Sequence, residues 1–334
     1  MRVRWARVTL ASWILVASAG LVGGTAWSLQ TRSAAAASAP ASGALSFGGF
    51  ERTYRLYVPG TLDRSHPSAL VLALHGGGGT GEAMEKLTRG GLNRLADRDG
   101  FVVVYPDGLE RHWNDGRGVA AYRAHRENID DVGFLTALID HLARALPIDR
   151  TRIYATGISN GGLMSFRLAR EAATVIAAIA PVAISMSEQI VRMRQPARAV
   201  PVLMMPGTLD PLVPYTGGEI GGALAPARFS LGRVISVADA VRYWVEHNQC
   251  AAPPTVTMEP DRDPLDGTRV RREVYGSCRD GAEVALYAVD GGGHTWPGGL
   301  QYLPERIVGR TSRDMDANEV IWGFFRKFAL RPSP

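Results

Sequence analysis

Short uninterrupted apolar runs recur along the chain, and most of them end in a turn rich in glycine, proline or aspartate. Five such runs occupy residues 69–74, 101–105, 152–156, 201–206 and 284–289. Runs of this length without polar alternation are typical of strands buried on both faces of a parallel sheet. Residues 52–58 alternate between apolar and polar instead, which predicts an early strand with an antiparallel partner.

Segments with helical spacing of apolar residues separate these runs. We predict helices over residues 82–97, 128–146, 163–171, 237–247 and 316–328, and a further strand within 172–183. Asp130 and Asp131 fall where a helix begins, so we interpret them as caps rather than catalytic acids. The alternation of strands and helices predicts an α/β fold with a mostly parallel, doubly wound sheet, helices on both faces and ligands at the carboxyl ends of the strands.

The first 44 residues differ in composition from the rest of the chain. A basic segment (residues 2–7) precedes an apolar stretch from Val8 to Val22, and small residues and an Ala/Ser/Pro linker follow. This order is typical of a signal peptide, while the cleavage point and an uncleaved anchor stay open. We therefore expect a leader and linker over 1–44, one catalytic domain over 45–334, no stable membrane anchor after cleavage, and a secreted protein, either extracellular or periplasmic.

The net charge of +5 overstates the charge of the exported chain, because four arginines and no acidic residues lie in the leader. Without those four the chain carries about +1, and it contains no block of five or more Lys or Arg residues. A nucleic-acid partner is therefore not expected. The sequence leaves the oligomeric state open.

Cys250 and Cys278 are the only cysteines. In an exported chain a lone pair favours a disulfide, although two unpaired buried thiols also fit the pattern. Two cysteines cannot form a zinc site alone, and no pair of histidines stands near them at ligand spacing. We therefore expect no metal site.

The segment Gly157-Ile158-Ser159-Asn160-Gly161 directly follows one of the apolar runs. A serine with glycines two residues before and after it fits a sharp strand-to-helix turn that exposes the hydroxyl group. The pattern alone is weak in a glycine-rich chain. Its place between a predicted strand and a predicted helix makes Ser159 a candidate nucleophile for acyl transfer.

A glycine-rich turn follows the run at residues 69–74, with the sequence His75-Gly76-Gly77-Gly78-Gly79. Such a turn can direct backbone N–H groups into a cleft, which is one way to build an oxyanion hole. A flexible surface loop is the alternative. A phosphate-binding loop is disfavoured, because no Gly-Lys-Ser/Thr follows.

Two further candidates follow strands nearer the carboxyl terminus. Asp210 follows the run at 201–206, and His294 lies on a glycine-rich loop after the run at 284–289. The order Ser, Asp, His along the chain is the order found in α/β-hydrolases. Asp266 and Asp290 are the rival carboxylates for the acidic member of this triad.

Six motifs together resemble one branch of the α/β-hydrolases. They span residues 74–79, 105–108, 131–134, 157–162, 210–215 and 292–298. The ordered set is similar to the polyhydroxybutyrate depolymerase and feruloyl-esterase-like proteins related to carbohydrate esterase family 1. The resemblance implies an α/β-hydrolase fold and a secreted serine esterase without a cofactor, and it matches Cys250 and Cys278 to the family's cysteine pair.

The resemblance also implies roles for individual residues. Ser159 corresponds to the nucleophile, Asp210 to the acid and His294 to the base, while Gly77 and Asn160 would supply backbone N–H groups to the oxyanion hole. Polymer-degrading relatives usually carry a linker and a separate binding module after the catalytic domain. We expect neither here.

Two tryptophans lie next to these candidates. Trp296 follows His294 by two residues, and Trp113 lies in a polar loop. Either could form a wall for an acyl or aromatic group, and ordinary core packing is the alternative for both.

Three classes of function therefore stay open. The favoured one is hydrolysis of carboxylic esters, either polyhydroxybutyrate-type oligoesters or feruloyl and acetyl esters, through an acyl-enzyme. The first alternative is an exported acyltransferase that uses the same triad. The second is a non-catalytic binding protein on a hydrolase fold, which an intact triad disfavours.

Overall fold

A ten-stranded sheet organises the computed structural model, which describes residues 40–221 and 230–331. The strands of this sheet are β1 (Ala41–Phe47), β2 (Phe50–Tyr57), β3 (Ser68–Leu74), β4 (Val102–Pro106), β5 (Ile148–Ile158), β6 (Ala178–Val182), β7 (Val202–Met204), β10 (Thr255–Met258), β11 (Arg269–Tyr275) and β12 (Val284–Asp290). The short strands β8 (Gly218–Glu219) and β9 (Arg233–Val234) form a separate pair.

The α-helices of the described residues connect these strands. They are α1 (Gly81–Leu87), α2 (Gly91–Asp99), α3 (Arg123–Arg126), α4 (Asp131–Ala145), α5 (Asn160–Glu171), α6 (Glu188–Arg192), α7 (Val237–His247), α8 (Glu305–Val308) and α9 (Ala317–Phe325). None of the described helices is long and apolar enough to cross a membrane.

The strand order is β1-β2-β4-β3-β5-β6-β7-β12-β11-β10. The six strands from β4 to β12 run parallel, and an antiparallel pair closes each edge. The chain runs from β3 to β4 on one side and then returns to place β5 on the other side of β3. In open α/β sheets ligands bind at such a reversal, outside the carboxyl ends of the strands.

Both faces of the sheet are covered, because successive side chains of a strand point to opposite faces. On β3, Leu70, Leu72 and Leu74 pack into the core with α4, α5 and α7. The intervening Val71 and Ala73 pack into a second core with α1, α2 and α9. This two-sided burial is the reason that the central strands are uninterrupted apolar runs.

The structure differs from the sequence predictions mainly at element ends and at the sheet edges. The helix predicted over 82–97 is two helices, α1 and α2, which are separated at Thr88–Gly90 where two residues have positive φ. Strand β1 begins at Ala41, so it includes residues that we assigned to the linker. Strands β1, β10 and β11 were not predicted, and the exposed β10 lacks a buried face that could have indicated it.

The two aspartates at the start of α4 have different roles. The side chain of Asp130 caps the helix by accepting a hydrogen bond from Gly133 N at 2.8 Å. Asp131 is not a cap. Its carboxylate is completely buried, pairs with Arg52 of β2 at 2.6 Å and accepts a hydrogen bond from Asn114 N at 2.7 Å. Asp131 therefore joins the edge of the sheet to the loop that contains Asn114.

Helix α5 passes very close to the end of β3. A Cβ atom built on Gly157, near the end of β5, would lie 2.6 Å from Gly161 C of α5 and 2.6 Å from Leu74 O of β3, and one built on Gly161 would lie 2.6 Å from His75 O. Real Cβ atoms do not approach backbone oxygens this closely. The contact between strand and helix therefore requires glycine at both positions.

Replacing Gly161 by Ala should lower the free energy of unfolding by about 3 kcal/mol, because the clash is with backbone that cannot rotate away. Urea denaturation of Gly161→Ala would measure this loss. Gly323 of α9 is the matched control, because a Cβ there meets nothing within 4 Å. Gly323→Ala should stabilise the protein by up to about 1 kcal/mol. Equal effects at the two sites would contradict the close approach.

Candidate active site

Ser159 lies at the turn between β5 and α5. Its backbone angles are φ 55° and ψ −118°, in a region that non-glycine residues rarely adopt. Its side chain does not cap α5. The half-buried hydroxyl group lines a cavity at the carboxyl end of the sheet. The turn thus presents the serine side chain to the cavity, as the sequence pattern predicts.

The glycine-rich turn after β3 is fixed by the buried side chain of His75. The His75 Nε2 atom accepts a hydrogen bond from Gly108 N at 2.9 Å, and its Nδ1 atom donates to Gly76 O at 2.7 Å. Burial lowers the pKa of His75 to about 4, so the imidazole is neutral at ordinary pH. The backbone N–H of Gly78 donates to Arg111 O at 2.8 Å. These bonds argue against the alternative of a flexible surface loop.

Asn160, the first residue of α5, is fixed by the neighbouring loop. Its side-chain oxygen accepts a hydrogen bond from Trp113 N at 2.8 Å. Its Nδ2 atom donates to Trp113 O at 3.0 Å and to the Asp115 carboxylate at 2.5 Å. Because all its side-chain bonding groups are engaged, Asn160 has little freedom to move. Gly77 and Asn160 line the same cavity as Ser159.

Trp113 and Trp296 do not form walls of the cavity, which corrects our expectation. Both side chains are completely buried, and neither lines the cavity. The Trp113 Nε1 atom donates to His75 O at 3.0 Å, so this residue supports the glycine-rich turn from behind. Trp296 packs into the core on the α9 side of the sheet. In the sequence, proximity to a catalytic candidate could not distinguish a cavity wall from the layer behind it.

Asp210 and His294 meet across the ends of neighbouring strands β7 and β12. Asp210 Oδ2 lies 2.7 Å from His294 Nδ1. The other carboxylate oxygen accepts hydrogen bonds from Leu212 N and Val213 N, each at 2.8 Å. The Tyr302 hydroxyl donates to His294 O at 3.0 Å. Both side chains are almost completely buried, so solvent weakens the contact between the carboxylate and the imidazole only slightly.

The rival carboxylates do not occupy this position. Asp266 accepts hydrogen bonds from Thr268 and from Arg313 N, away from the imidazole. Asp290 is the last residue of β12, and neither rival lines the cavity. Asp210 is therefore the carboxylate that contacts His294.

The cavity has a volume of about 570 Å³, and both Ser159 and His294 line it. Most of its wall is apolar, with contributions from Met84, Leu87, Leu212, Val213, Ile220, Leu231, Leu300, Leu303 and Val308. The polar lining includes His112, which stacks on Tyr122 with ring centroids 3.9 Å apart, and Arg117. These three residues were not predicted, although they lie between the motifs at 105–108 and 131–134, because no sequence pattern shows which residues of a connecting loop face the cavity.

The structure contains the Cys250–Cys278 disulfide, with the two cysteines on segments that follow α7 and β11. Neither cysteine lines the cavity. No group of three or more His, Cys, Asp or Glu side chains that could bind a metal ion occurs within 40–221 and 230–331.

The comparison with known sequences identifies esterases. The family described as Esterase PHB depolymerase matches residues 52–216. The chain is 33% identical over 282 residues to the candidate esterase NocK of Nocardia uniformis subsp. tsuyamanensis, which covers 83% of this chain and 79% of that protein. It is 32% identical over 210 residues to feruloyl esterase B of Piromyces equi, but this match covers only 35% of that protein and 60% of this chain.

A comparison of folds agrees with the predicted α/β-hydrolase fold. The acetyl xylan esterase from Aspergillus awamori superposes with a TM-score of 0.53 at 14% sequence identity, covering 76% of this chain and 94% of that one. At this identity the likeness concerns the fold alone. Together with the parallel sheet and the Ser159 turn, it confirms the fold class.

The depressed pKa of His75 predicts that acid destabilises the protein. Below its ordinary pKa of 6.5 an unfolded chain protonates this side chain, whereas the folded protein does not until about pH 4. Between pH 7.5 and pH 4.5 the free energy of unfolding should therefore fall by roughly 2.5 kcal/mol more in the wild type than in His75→Gln. Urea denaturation of both proteins at the two pH values measures the difference. Equal losses would show that His75 does not stay neutral in the folded state.

Proposed function

The chain belongs to the polyhydroxybutyrate depolymerase and feruloyl-esterase-like family of carboxylic ester hydrolases, and we propose that it cleaves esters through an acyl-enzyme formed on Ser159. The observation that carries the proposal is the 2.7 Å contact between Asp210 and His294 beside the cavity that Ser159 also lines. These residues lie far apart in the sequence. Their convergence at one edge of the sheet suits nucleophilic catalysis.

The chemistry assigns one step to each group. The Ser159 oxygen attacks the ester carbonyl carbon while His294 Nε2 takes the serine proton, and Asp210 stabilises the resulting imidazolium. The tetrahedral intermediate collapses, the carbon–oxygen bond to the alcohol breaks, and His294 returns the proton to the leaving alcohol. Water then repeats the sequence on the acyl-enzyme, which releases the acid and restores Ser159.

The backbone N–H groups of Gly77 and Asn160 would stabilise the oxyanion in this scheme. Each such donor is typically worth about 3 kcal/mol in the transition state. Preorganisation supports the assignment, because His75 fixes the turn before Gly77 and the Trp113–Asp115 loop fixes Asn160. Donors that are already in place need no reorganisation when charge develops.

The substrates are esters with a substantial apolar portion, since the cavity is large and mostly apolar. Short hydroxybutyrate oligoesters and feruloyl or acetyl esters are the candidates. Relatives named feruloyl esterase and acetylxylan esterase support this range. The mechanism requires neither a metal nor an organic cofactor.

The protein acts outside the cytoplasm in this proposal. The basic-then-apolar leader supports export, although residues 1–39 lie outside the described part of the structure. The Cys250–Cys278 disulfide supports it too, because such bonds persist in oxidising compartments.

Substitutions of the triad should remove turnover of a soluble aryl butyrate. Ser159→Ala and His294→Ala should each lower kcat by about 10⁴-fold or more, and Asp210→Asn by about 10³-fold to 10⁴-fold. Asp290→Asn is the matched control and should stay near wild type. Steady-state assays with circular dichroism to confirm folding test this. Substantial activity in Ser159→Ala, or a larger loss in Asp290→Asn than in Asp210→Asn, would refute the assignment.

Export predicts a shortened and oxidised mature protein. Intact mass spectrometry of enzyme secreted by a bacterial host should find the leader removed and no thiol that alkylates before reduction. After reduction, two alkyl groups should be added, one on Cys250 and one on Cys278. An intact leader would contradict the signal peptide, and two reactive thiols in the native protein would contradict the disulfide.

A further inference from the structure

Arg117 lines the cavity although its side chain is almost completely buried. Its Nε atom lies 3.0 and 2.9 Å from the two oxygens of Asp115, and Nη1 donates to Leu231 O at 2.9 Å. The aliphatic part packs against Gly232, whose φ is +87°, so that a side chain there would be strained and would crowd Arg117. The guanidinium group is therefore fixed at the wall and cannot swing out into solvent.

The negative partner of Arg117 lies behind it. Asp115 is completely buried, does not line the cavity, and also accepts a hydrogen bond from Asn160 Nδ2. The pair thus has its cation at the cavity and its anion on the far side. Removing two charges from water is costly, and an apolar pair of similar size would often stabilise the fold as well or better. Stability alone does not account for an ion pair in this mostly apolar wall.

The other ionisable groups beside Arg117 do not cancel its charge. His125 Nε2 lies 3.7 Å from Asp115, and His112 lines the cavity. Burial lowers the pKa of both imidazoles below the ordinary value of 6.5, which favours their uncharged forms. Among the described residues that line the cavity there is no Asp or Glu. The other cation there, Lys86, is 70% exposed and pairs with Glu82, so solvent screens it.

Because Asp115 lies behind it, Arg117 presents the positive end of an ion pair to the apolar cavity, and the low dielectric of the walls focuses the field of this end on an anion in the cavity. Asp115 and Leu231 engage Nε and one Nη1 hydrogen, and the remaining donors of the planar group, on Nη1 and Nη2, match the geometry of a carboxylate. Arg117 is also close to the reaction, since Asp115 bonds both to it and to Asn160, the residue after Ser159.

We propose that Arg117 forms a carboxylate-binding subsite, so that the preferred substrates are esters that carry a free carboxylate in addition to the scissile bond. This inference rests on the proposed function, because it names the substrate class of the same cavity. The carboxylate can belong to the acyl group, as in a half-ester of a dicarboxylic acid. It can instead belong to the leaving alcohol, as in the acid end of a hydroxyacid oligoester.

Two matched pairs of esters distinguish these sources. The first pair is 4-nitrophenyl hydrogen adipate and its methyl ester, which places the carboxylate on the acyl side and too far from the ester for rapid spontaneous anhydride formation. The second is the linear dimer of 3-hydroxybutyrate and its methyl ester, which places it on the alcohol side. The wild type should show a kcat/KM at least about tenfold higher for the acid than for the methyl ester in one pair, as expected for a hydrogen bond to a charged group. The pair of esters that shows this preference identifies whether the bound carboxylate belongs to the acyl group or to the leaving alcohol.

Variants then assign the preference to Arg117. Arg117→Met should bring the acid-to-methyl-ester ratio close to one, and Arg117→Lys should give an intermediate ratio, because lysine keeps the charge but not the planar fork. Lys86→Met, a second cation of the same cavity, is the matched control and should keep the wild-type ratio. If Arg117→Met does not fold, because Asp115 then lacks its cation, Arg117→Lys and the wild-type ratio decide the question.

Three results would overturn the inference: no acid preference in either pair for the wild type, an unchanged ratio in Arg117→Lys and Arg117→Met, or loss of the ratio in Lys86→Met. Failure of the proposed function is distinguishable from all three. If instead the proposed function is wrong, Ser159→Ala would still hydrolyse the neutral methyl esters.

Discussion

The approach of α5 to the end of β3 is the constraint on which the site depends. Gly157 and Gly161 permit the backbone contact, and Ser159 between them takes a conformation with φ of 55° that costs about 1–3 kcal/mol. The surrounding sheet and helix overcome this cost. The same geometry directs the serine side chain toward the cavity and begins α5 beside the glycine-rich turn. The strained backbone of Ser159 and the exposure of its side chain to the cavity therefore both result from the packing of α5 at the end of β3.

The loop from His112 to Arg117 connects the parts of this site. Trp113 bonds to His75 behind the glycine-rich turn and, through its backbone, to Asn160. Asp115 bonds to both Asn160 and Arg117. The Arg52–Asp131 pair fixes Asn114 from the edge of the sheet. One short loop thus joins the proposed oxyanion donors to the proposed substrate-binding cation, and a change in it would affect both.

The central strands and the turns after them could be predicted from the sequence, because burial on both faces leaves a continuous apolar run. The placement of Ser159, Asp210 and His294 at one edge followed from parallel topology, since the carboxyl ends of parallel strands meet. The tryptophan assignments were wrong for a physical reason. An aromatic residue in the layer behind a cavity and one at its surface have the same sequence neighbours, and only packing separates them. Arg117 was missed because its significance arises from Asp115 and Leu231, which the fold alone brings to it.

The most direct measurement is covalent labelling of the native enzyme with a fluorophosphonate, followed by peptide mass spectrometry to locate the adduct. The reagent requires a serine that is activated by a base and exposed in a site with oxyanion donors. The account predicts one adduct per chain, on Ser159, with labelling abolished in His294→Ala and blocked by an ester substrate. An adduct on another residue, or no adduct on a folded protein that hydrolyses esters, would contradict it.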